Sequence, residues 1–485
     1  MLYSFLTIPT LLAAAFLIPL ISLKEGRFIP YVAMSGSLVS LFFAFITVPM
    51  VMEHGVLTTQ MEEWPAPFGI TLAVDSFSML LIIIVTLIGF FALLFSLRFI
   101  KEKKTEYYSL TCLLLAGLLG AAHTGDMFNL FVFFEIMSIS SYLLTAYYRK
   151  AESIEGSIKY LLMGSLGTSL ILFGVAFLYG AAGTLNMADL AVQLQGLEGY
   201  IVPIALGLLL TGFGFKAAIF PFHAWKPDAI SVTPVPIAAI FSTASTAVGI
   251  YTIFRIFTLL PIGSVFIHSL LVVIGVLTMI VGAVLAMQQN KLMRLLAYSS
   301  ISQAGFVLLA FGTGIFNPLG YTAAVFHLFN IVIFEALLFF VAGVIIHETG
   351  TQDMRKLGGF ARFSPVLSYA FLIGILANIG IPLLSGFSSK WLIYISTLKS
   401  FPVLTLVAVV VSVLTMTYSL KAYNLIFLGN VNIKPRAISR SMLVPIIILA
   451  AIVIFFGVLP QIGIEISEFI VRSFDNSLYI SRVLI

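Results

Sequence analysis

Charge is what this sequence has least of. Asp, Glu, Lys and Arg make up 9% of its 485 residues, and 60% are hydrophobic. Soluble domains carry about 25% charged residues, so this chain has too little charge to cover a water-facing surface. There is one cysteine, Cys112, which excludes an internal disulfide, a thiolate metal cage and an iron–sulfur cluster. The chain has no P-loop and no dinucleotide-binding glycine pattern. His347 in "HETGTQD" stands beside an acid but lacks a second histidine at metal-ligand spacing. No cofactor or metal of its own is therefore expected, and any redox chemistry belongs to another chain. The formal charge of +5 sits in short loops between apolar runs. The positive-inside rule accounts for it there, and no nucleic-acid partner is implied.

What is there is a succession of apolar runs. A spanning helix needs about 20 mostly apolar residues, and about fourteen such runs are expected, at 2–22, 28–50, 77–97, 107–123, 127–147, 156–180, 200–222, 236–258, 265–288, 293–313, 318–346, 364–395, 402–427 and 441–463. This predicts a multi-pass protein of the cell membrane with the lipid bilayer as its solvent. The first run is full length and lacks a small-residue cleavage site after it, so it reads as a span. The longest connections, 51–76 and 181–199, are amphipathic, and "GITLAVDSF" alternates like a short strand or hairpin. Basic residues gather after odd-numbered spans: Lys24 and Arg27, Arg98 to Lys104, Arg149 to Lys159, Lys226, Lys291 and Arg294, Arg355 to Arg362, then Lys434, Arg436 and Arg440, with Lys399 the exception. Those loops are expected in the cytoplasm, with both termini outside.

Two spans look interrupted. Pro221 falls within "GFGFKAAIFPFHAWKPDA", and Pro382 and Gly386 fall within "ANIGIPLLSGFSSKWLIY". Proline removes a backbone hydrogen bond and kinks a helix. Broken backbone at membrane depth survives only against protein or a water-lined cavity. The interruptions lie five spans apart, in spans seven and twelve. The expectation is an all-α membrane domain over 1–485 with two inverted five-helix repeats: spans four to eight (107–258) and nine to thirteen (265–427).

Few ionisable side chains fall deep in the runs: Glu135 in span five, Lys216 in seven, His327 and Glu335 in eleven, and Lys390 in twelve. Each charge would cost about 2.5–3.5 kcal/mol at the centre of a lipid-exposed helix, so all are expected to face the bundle interior. Such pairs could simply pin helices together. Opposite charges beside a broken helix suit proton transfer better, because burial and a nearby carboxylate compete to set a lysine's protonation. Asn330 and Glu335 lie three and eight residues beyond His327, on much the same face. Asp126 reads first as a helix cap and His223 as a boundary histidine with structural hydrogen bonds; both are secondary relay candidates. Arg255 is placed to snorkel to the interface.

The stretches "GDMFNLFVFFEIMSISSYLLTAYYRK", "KAAIFPFHAWKPDA", "GIPLLSGFSSKW" and "HETGTQDMRKLGGF" resemble the antiporter-like subunits shared by respiratory complex I, Mrp-type cation/proton antiporters, and membrane-bound hydrogenases with their sulfur-reducing relatives. The likeness covers nearly the whole chain, and "GDMFNLFVFFE" is most similar to the Mrp D-subunit and its hydrogenase-type counterparts. The resemblance implies that Glu135 and Lys216 form the input pair, that Lys390 serves the exit side, and that His327 belongs to a central polar axis. Two departures stand out. Ala247 occupies the place in span eight where Lys or His is common, and Glu335 stands where span eleven usually has Lys.

The resemblance implies a proton or Na⁺/H⁺ translocating subunit within an assembly of other membrane subunits. In the redox-driven assemblies a peripheral iron–sulfur or nickel arm would join it. The alternative, motivated by Ala247 and Glu335, is a structural subunit that has lost through-conduction. A free-standing solute carrier is a third class, against which the sequence offers no solute pocket.

Overall fold

In the computed structural model all residues are described except 1, 25, 62–63, 198, 261–263, 430–437 and 485; Lys434 and Arg436 thus lie outside the described residues. The chain is a helical array with one small hairpin. α1 (Thr7–Ser22) and α2 (Ile29–His54) are followed by β1 (Leu57–Gln60) and β2 (Thr71–Val74), then α3 (Ser76–Phe99), α4 (Lys104–His123), α5 (Met127–Thr145), α6 (Ala151–Ala182) and the short α7 (Met187–Gln193). Next come α8 (Ile201–Ala217), α9 (Trp225–Val232), α10 (Val235–Ile240), α11 (Thr246–Leu259), α12 (Ser264–Met287), α13 (Leu292–Thr313) and α14 (Leu319–Thr349). The remainder is α15 (Phe360–Phe363), α16 (Pro365–Ile379), α17 (Ser385–Ser400), α18 (Pro402–Phe427), α19 (Arg440–Val458), α20 (Pro460–Arg472) and α21 (Ser477–Leu484).

Eleven helices among the described residues are long and apolar enough to cross a membrane, and Thr7–Ser22, Ile201–Ala217 and Pro365–Ile379 are shorter apolar helices. The stretch "GITLAVDSF" does contribute a strand: β2 pairs antiparallel with β1, Leu57 opposite Val74. Asp75 then closes a capping box on α3 by accepting from the Ser78 amide, a cap that satisfies otherwise orphaned helix donors. α20 and α21 form an amphipathic C-terminal pair after the last apolar helix.

Burial sorts the helices. The rod from Val235 to Leu259 is wholly buried in its most apolar window, α13 and α14 are 94% and 89% buried, whereas α2, α18 and α19 stay near a third. The first group is the centre of the bundle and the second its rim. In lipid, helices associate through close packing, with small residues letting backbones approach. The α12–α13 contact shows this: a Cβ on Gly305 would stand 2.4 Å from the Met279 amide nitrogen, and one on Gly275 2.6 Å from that of Leu309.

Both stretches marked by proline are interrupted in the backbone. α8 stops at Ala217, and the chain turns through Pro221 before α9 begins at Trp225. Trp225 ties the two pieces together, donating to the Phe215 carbonyl at 3.0 Å and stacking on Tyr160 with ring centroids 4.0 Å apart. α16 ends at Gly380, whose φ of +92° is left-handed, a geometry glycine adopts without strain. α17 begins five residues later.

Candidate functional site

The polar residues of the interior fall into three groups. In the first, Lys216 in the last turn of α8 is buried, and its Nζ donates to Ser138 Oγ of α5 at 2.6 Å and to the Gly164 carbonyl at 3.4 Å. Glu135 lies one turn before Ser138 on α5, is half-buried, and is the charge acting on that ammonium. Its Oε1 is enclosed without a hydrogen-bond partner among the described residues. Burying a lysine without a counter-charge is costly; here a hydroxyl, a carbonyl and a near carboxylate share the compensation.

The second group holds the residue that sequence reasoning missed. Lys226 was expected in an exposed basic loop. Instead its side chain is fully buried, with Nζ donating to Thr246 Oγ1 and Ser300 Oγ, each at 2.8 Å. "HAWKPDA" reads as a loop because it is polar and proline-bearing, yet α9 folds inward. Asp228, two residues on and so on the opposite face of the helix, pairs with Arg294 and, at 3.2 Å, with Lys159, which turns Lys226 the other way. Glu335 of α14 is buried beside this ammonium, and Lys226 is the charge acting on it. Its carboxylate faces the Ser300 hydroxyl without a close hydrogen bond, and neither oxygen has another partner among the described residues.

Between α10 and α11 the helix opens into a π turn, Phe241–Ser245, and Thr246 Oγ1 donates to the Phe241 carbonyl. Such turns recur at functional sites. Ala247 follows directly and lines a small cavity with Ser242, Thr246, Ser300 and Val332.

The third group surrounds α17. Lys390 is buried and donates to the carbonyls of Asn378 at 2.8 Å and Ile379 at 3.4 Å, the open C-terminal end of α16, where a cation complements the helix dipole. Its ammonium also sits 4.5 Å from the centroid of the Phe306 ring. The same ring meets His327 edge-on at 6.1 Å. The His327 nitrogens contact Ser389 Oγ at 2.9 Å and Gln303 Oε1 at 3.2 Å. Asn378 reaches Ser299, which hydrogen-bonds Tyr418 at 3.0 Å. α13 thus carries Ser299, Ser300 and Gln303 between the second and third groups.

Asp126 is the N-cap of α5, accepting from the Asn129 amide at 2.7 Å. His223 is buried in the turn before α9 and lies against Phe220. Neither belongs to the three groups. Arg255 departs from expectation. It is 5% exposed and binds both Asp75 oxygens at 2.6 Å, because its partner, 180 residues earlier, caps α3. Among the described residues no three His, Cys, Asp or Glu side chains gather as a metal site.

The model of the NADH:quinone oxidoreductase/Mrp antiporter transmembrane family matches residues 124–415, more than half of the chain and all of the three groups except Tyr418. The chain belongs to this family. It is 34% identical over 488 residues to the Na(+)/H(+) antiporter D-subunit of Alkalihalophilus pseudofirmus, covering 96% of this chain and 98% of the relative. Its fold superposes with a TM-score of 0.92 on a chain of the Mrp complex from Dietzia sp. DQ12-45-1b, at 28% identity and full coverage of both. With a chain of the membrane-bound sulfane sulfur reductase, an archaeal respiratory membrane complex, the TM-score is 0.91 at 30% identity, covering 99% of each. The protein is a multi-pass membrane subunit of the antiporter family, and its structural relatives sit in multisubunit membrane complexes.

Proposed function

We propose that this chain is an ion-translocating subunit of a multisubunit membrane complex, moving protons, alone or in exchange for Na⁺, along a relay inside its bundle. The observation that carries the reading is the burial of Lys216, Glu335, His327 and Lys390, with Glu135 half-buried at their edge, each beside hydroxyls, carbonyls or another ionisable group. Charges kept at membrane depth are expensive and mark ion pathways. Glu135 holds the Lys216 charge until a change in distance releases it, and a charge change at one group alters the proton affinity of the next. In this reading the chain crosses the membrane fourteen times, the breaks after Ala217 and Ile379 are the corresponding points of two inverted repeats, 107–258 and 265–427, and both termini lie outside. A gradient-driven cation/proton antiporter and a redox-driven complex with an iron–sulfur or nickel arm are the two assemblies it fits.

The test measures proton and Na⁺ movement by the intact complex in sealed vesicles. Glu135→Gln and Lys216→Ala should each slow translocation about a hundredfold or more, the range general acid–base groups contribute, while the complex stays assembled. Both variants translocating at the normal rate would sink the relay.

A further inference from the structure

Between the Lys216 group and the Lys390 group, span eight offers Ala247 where a titratable residue would be needed. Lys226 supplies the missing group from another helix. Its backbone belongs to α9, the short helix after the break, and its ammonium reaches across to Thr246, the residue next to Ala247. The second contact, Ser300 Oγ, itself donates to the Ser242 carbonyl at 3.1 Å, inside the π turn. A small cavity beside these hydroxyls is lined by Ser242, Thr246, Ala247 and Ser300. A long apolar side chain would fill this site without the desolvation cost of an ammonium. A purely structural lysine would normally hold a carboxylate or a helix end; this one holds two hydroxyls, with a carboxylate just beyond them.

We propose that Lys226 is the central proton carrier of this chain, relaying from the Lys216 side to Glu335 through Ser300 or an intervening water, in the role that a basic residue on span eight would otherwise fill. In the forward step an Nζ–H bond of the Lys226 ammonium breaks and an O–H bond forms on the Glu335 carboxylate. Lys226 is left a neutral amine and Glu335 a neutral acid. The pair keeps its net charge of zero, so the step moves no uncompensated charge in the interior. Lys226 regains its proton from the Lys216 side, and Glu335 passes its own toward α13 and α17. The titratable groups facing this step are Glu335 of α14 and, beyond it, Tyr418 of α18.

The proposal rests on the relay reading above, and its test separates the two. Lys226→Met, Lys226→Arg and the double variant Lys226→Met/Ala247→Lys are assayed in the intact complex beside Glu135→Gln and Lys216→Ala. Arginine keeps the charge but does not release a proton. Expected is about a hundredfold or greater loss of translocation for Lys226→Met and Lys226→Arg with assembly intact, and recovery in the double variant. Should Lys226→Met fail to assemble, Lys226→Arg decides. Normal translocation by Lys226→Arg, while Glu135→Gln and Lys216→Ala are impaired, overturns the Lys226 role and leaves the relay standing. Normal translocation by all the variants overturns both.

Discussion

The Asp75–Arg255 pair offers the most quantitative test of how the bundle is held at the end where β2 meets α3. Arg255 is 5% and Asp75 0% exposed, with Nη2 2.6 Å from both carboxylate oxygens. The guanidinium also lies 5.0 Å from the centroid of Tyr479 on α21, so the pair joins α3, α11 and the C-terminal helices. Removing one partner of a buried pair leaves an uncompensated charge and costs roughly 3–5 kcal/mol, whereas replacing both by neutral groups is often close to neutral. Asp75→Asn keeps an oxygen for the Ser78 amide, so the cap survives and the loss reports the charge. Asp75→Ala also loses the cap, adding about 1 kcal/mol. Unfolding of the purified protein in mixed detergent, followed by circular dichroism, would give the cycle. Asp75→Asn and Arg255→Met should each cost about 3–5 kcal/mol, and the double variant should cost less than their sum by at least about 2 kcal/mol. Additivity within about 0.5 kcal/mol would show that the two charges do not compensate one another.

Two other expectations concern the break in span twelve and the loop at Asp353. A Cβ on Gly386 would lie 1.9 Å from the Ala377 carbonyl oxygen, so Gly386→Ala should force α17 off the end of α16. It should lower the yield of assembled complex several-fold; wild-type assembly at wild-type stability would show that the two helices move apart freely. Asp353 bonds Arg355 through Nε at 2.9 Å and Nη2 at 2.8 Å, which holds its carboxyl at about 2, below the usual value of about 3.9. A depressed carboxylate stabilises the fold fully above its unfolded value and loses that contribution as pH falls through the folded one. The ordering of this loop should therefore be unchanged from pH 8 down to about 4 and fade between about 4 and 2. A carboxyl titration followed by infrared spectroscopy with a midpoint near 4 would refute the pairing.

Much of the architecture was legible because membranes impose a coarse grammar: apolar runs of helix length, and backbone breaks only where proline or glycine stands. Pro221, Pro382 and Gly386 marked the interruptions, and "GITLAVDSF" read as a strand and contains β2. The site was half legible. Glu135, Lys216, His327, Glu335 and Lys390 stood out as charges or imidazole within apolar runs, and each is in the interior or at its edge. Lys226 was hidden because its neighbours are polar. Its burial follows from the inward fold of α9, fixed by Trp225 stacking on Tyr160 and by Asp228 pairing with Arg294. Arg255 was misjudged because its partner is distant in sequence. The Phe306 ring between Lys390 and His327 gave no sign, since one phenylalanine among 44 looks like packing.

The central claim is that ions pass through this subunit, and Lys390 tests it most directly. Its ammonium caps α16 by binding carbonyls, so a structural role is the competing account. Lys390→Met in the intact complex, with assembly followed by native gel and proton movement by a pH-sensitive dye, separates the two. The relay predicts a normally assembled complex whose translocation falls about a hundredfold or more. Normal translocation from that assembled variant would contradict it and leave this chain a scaffold within its complex.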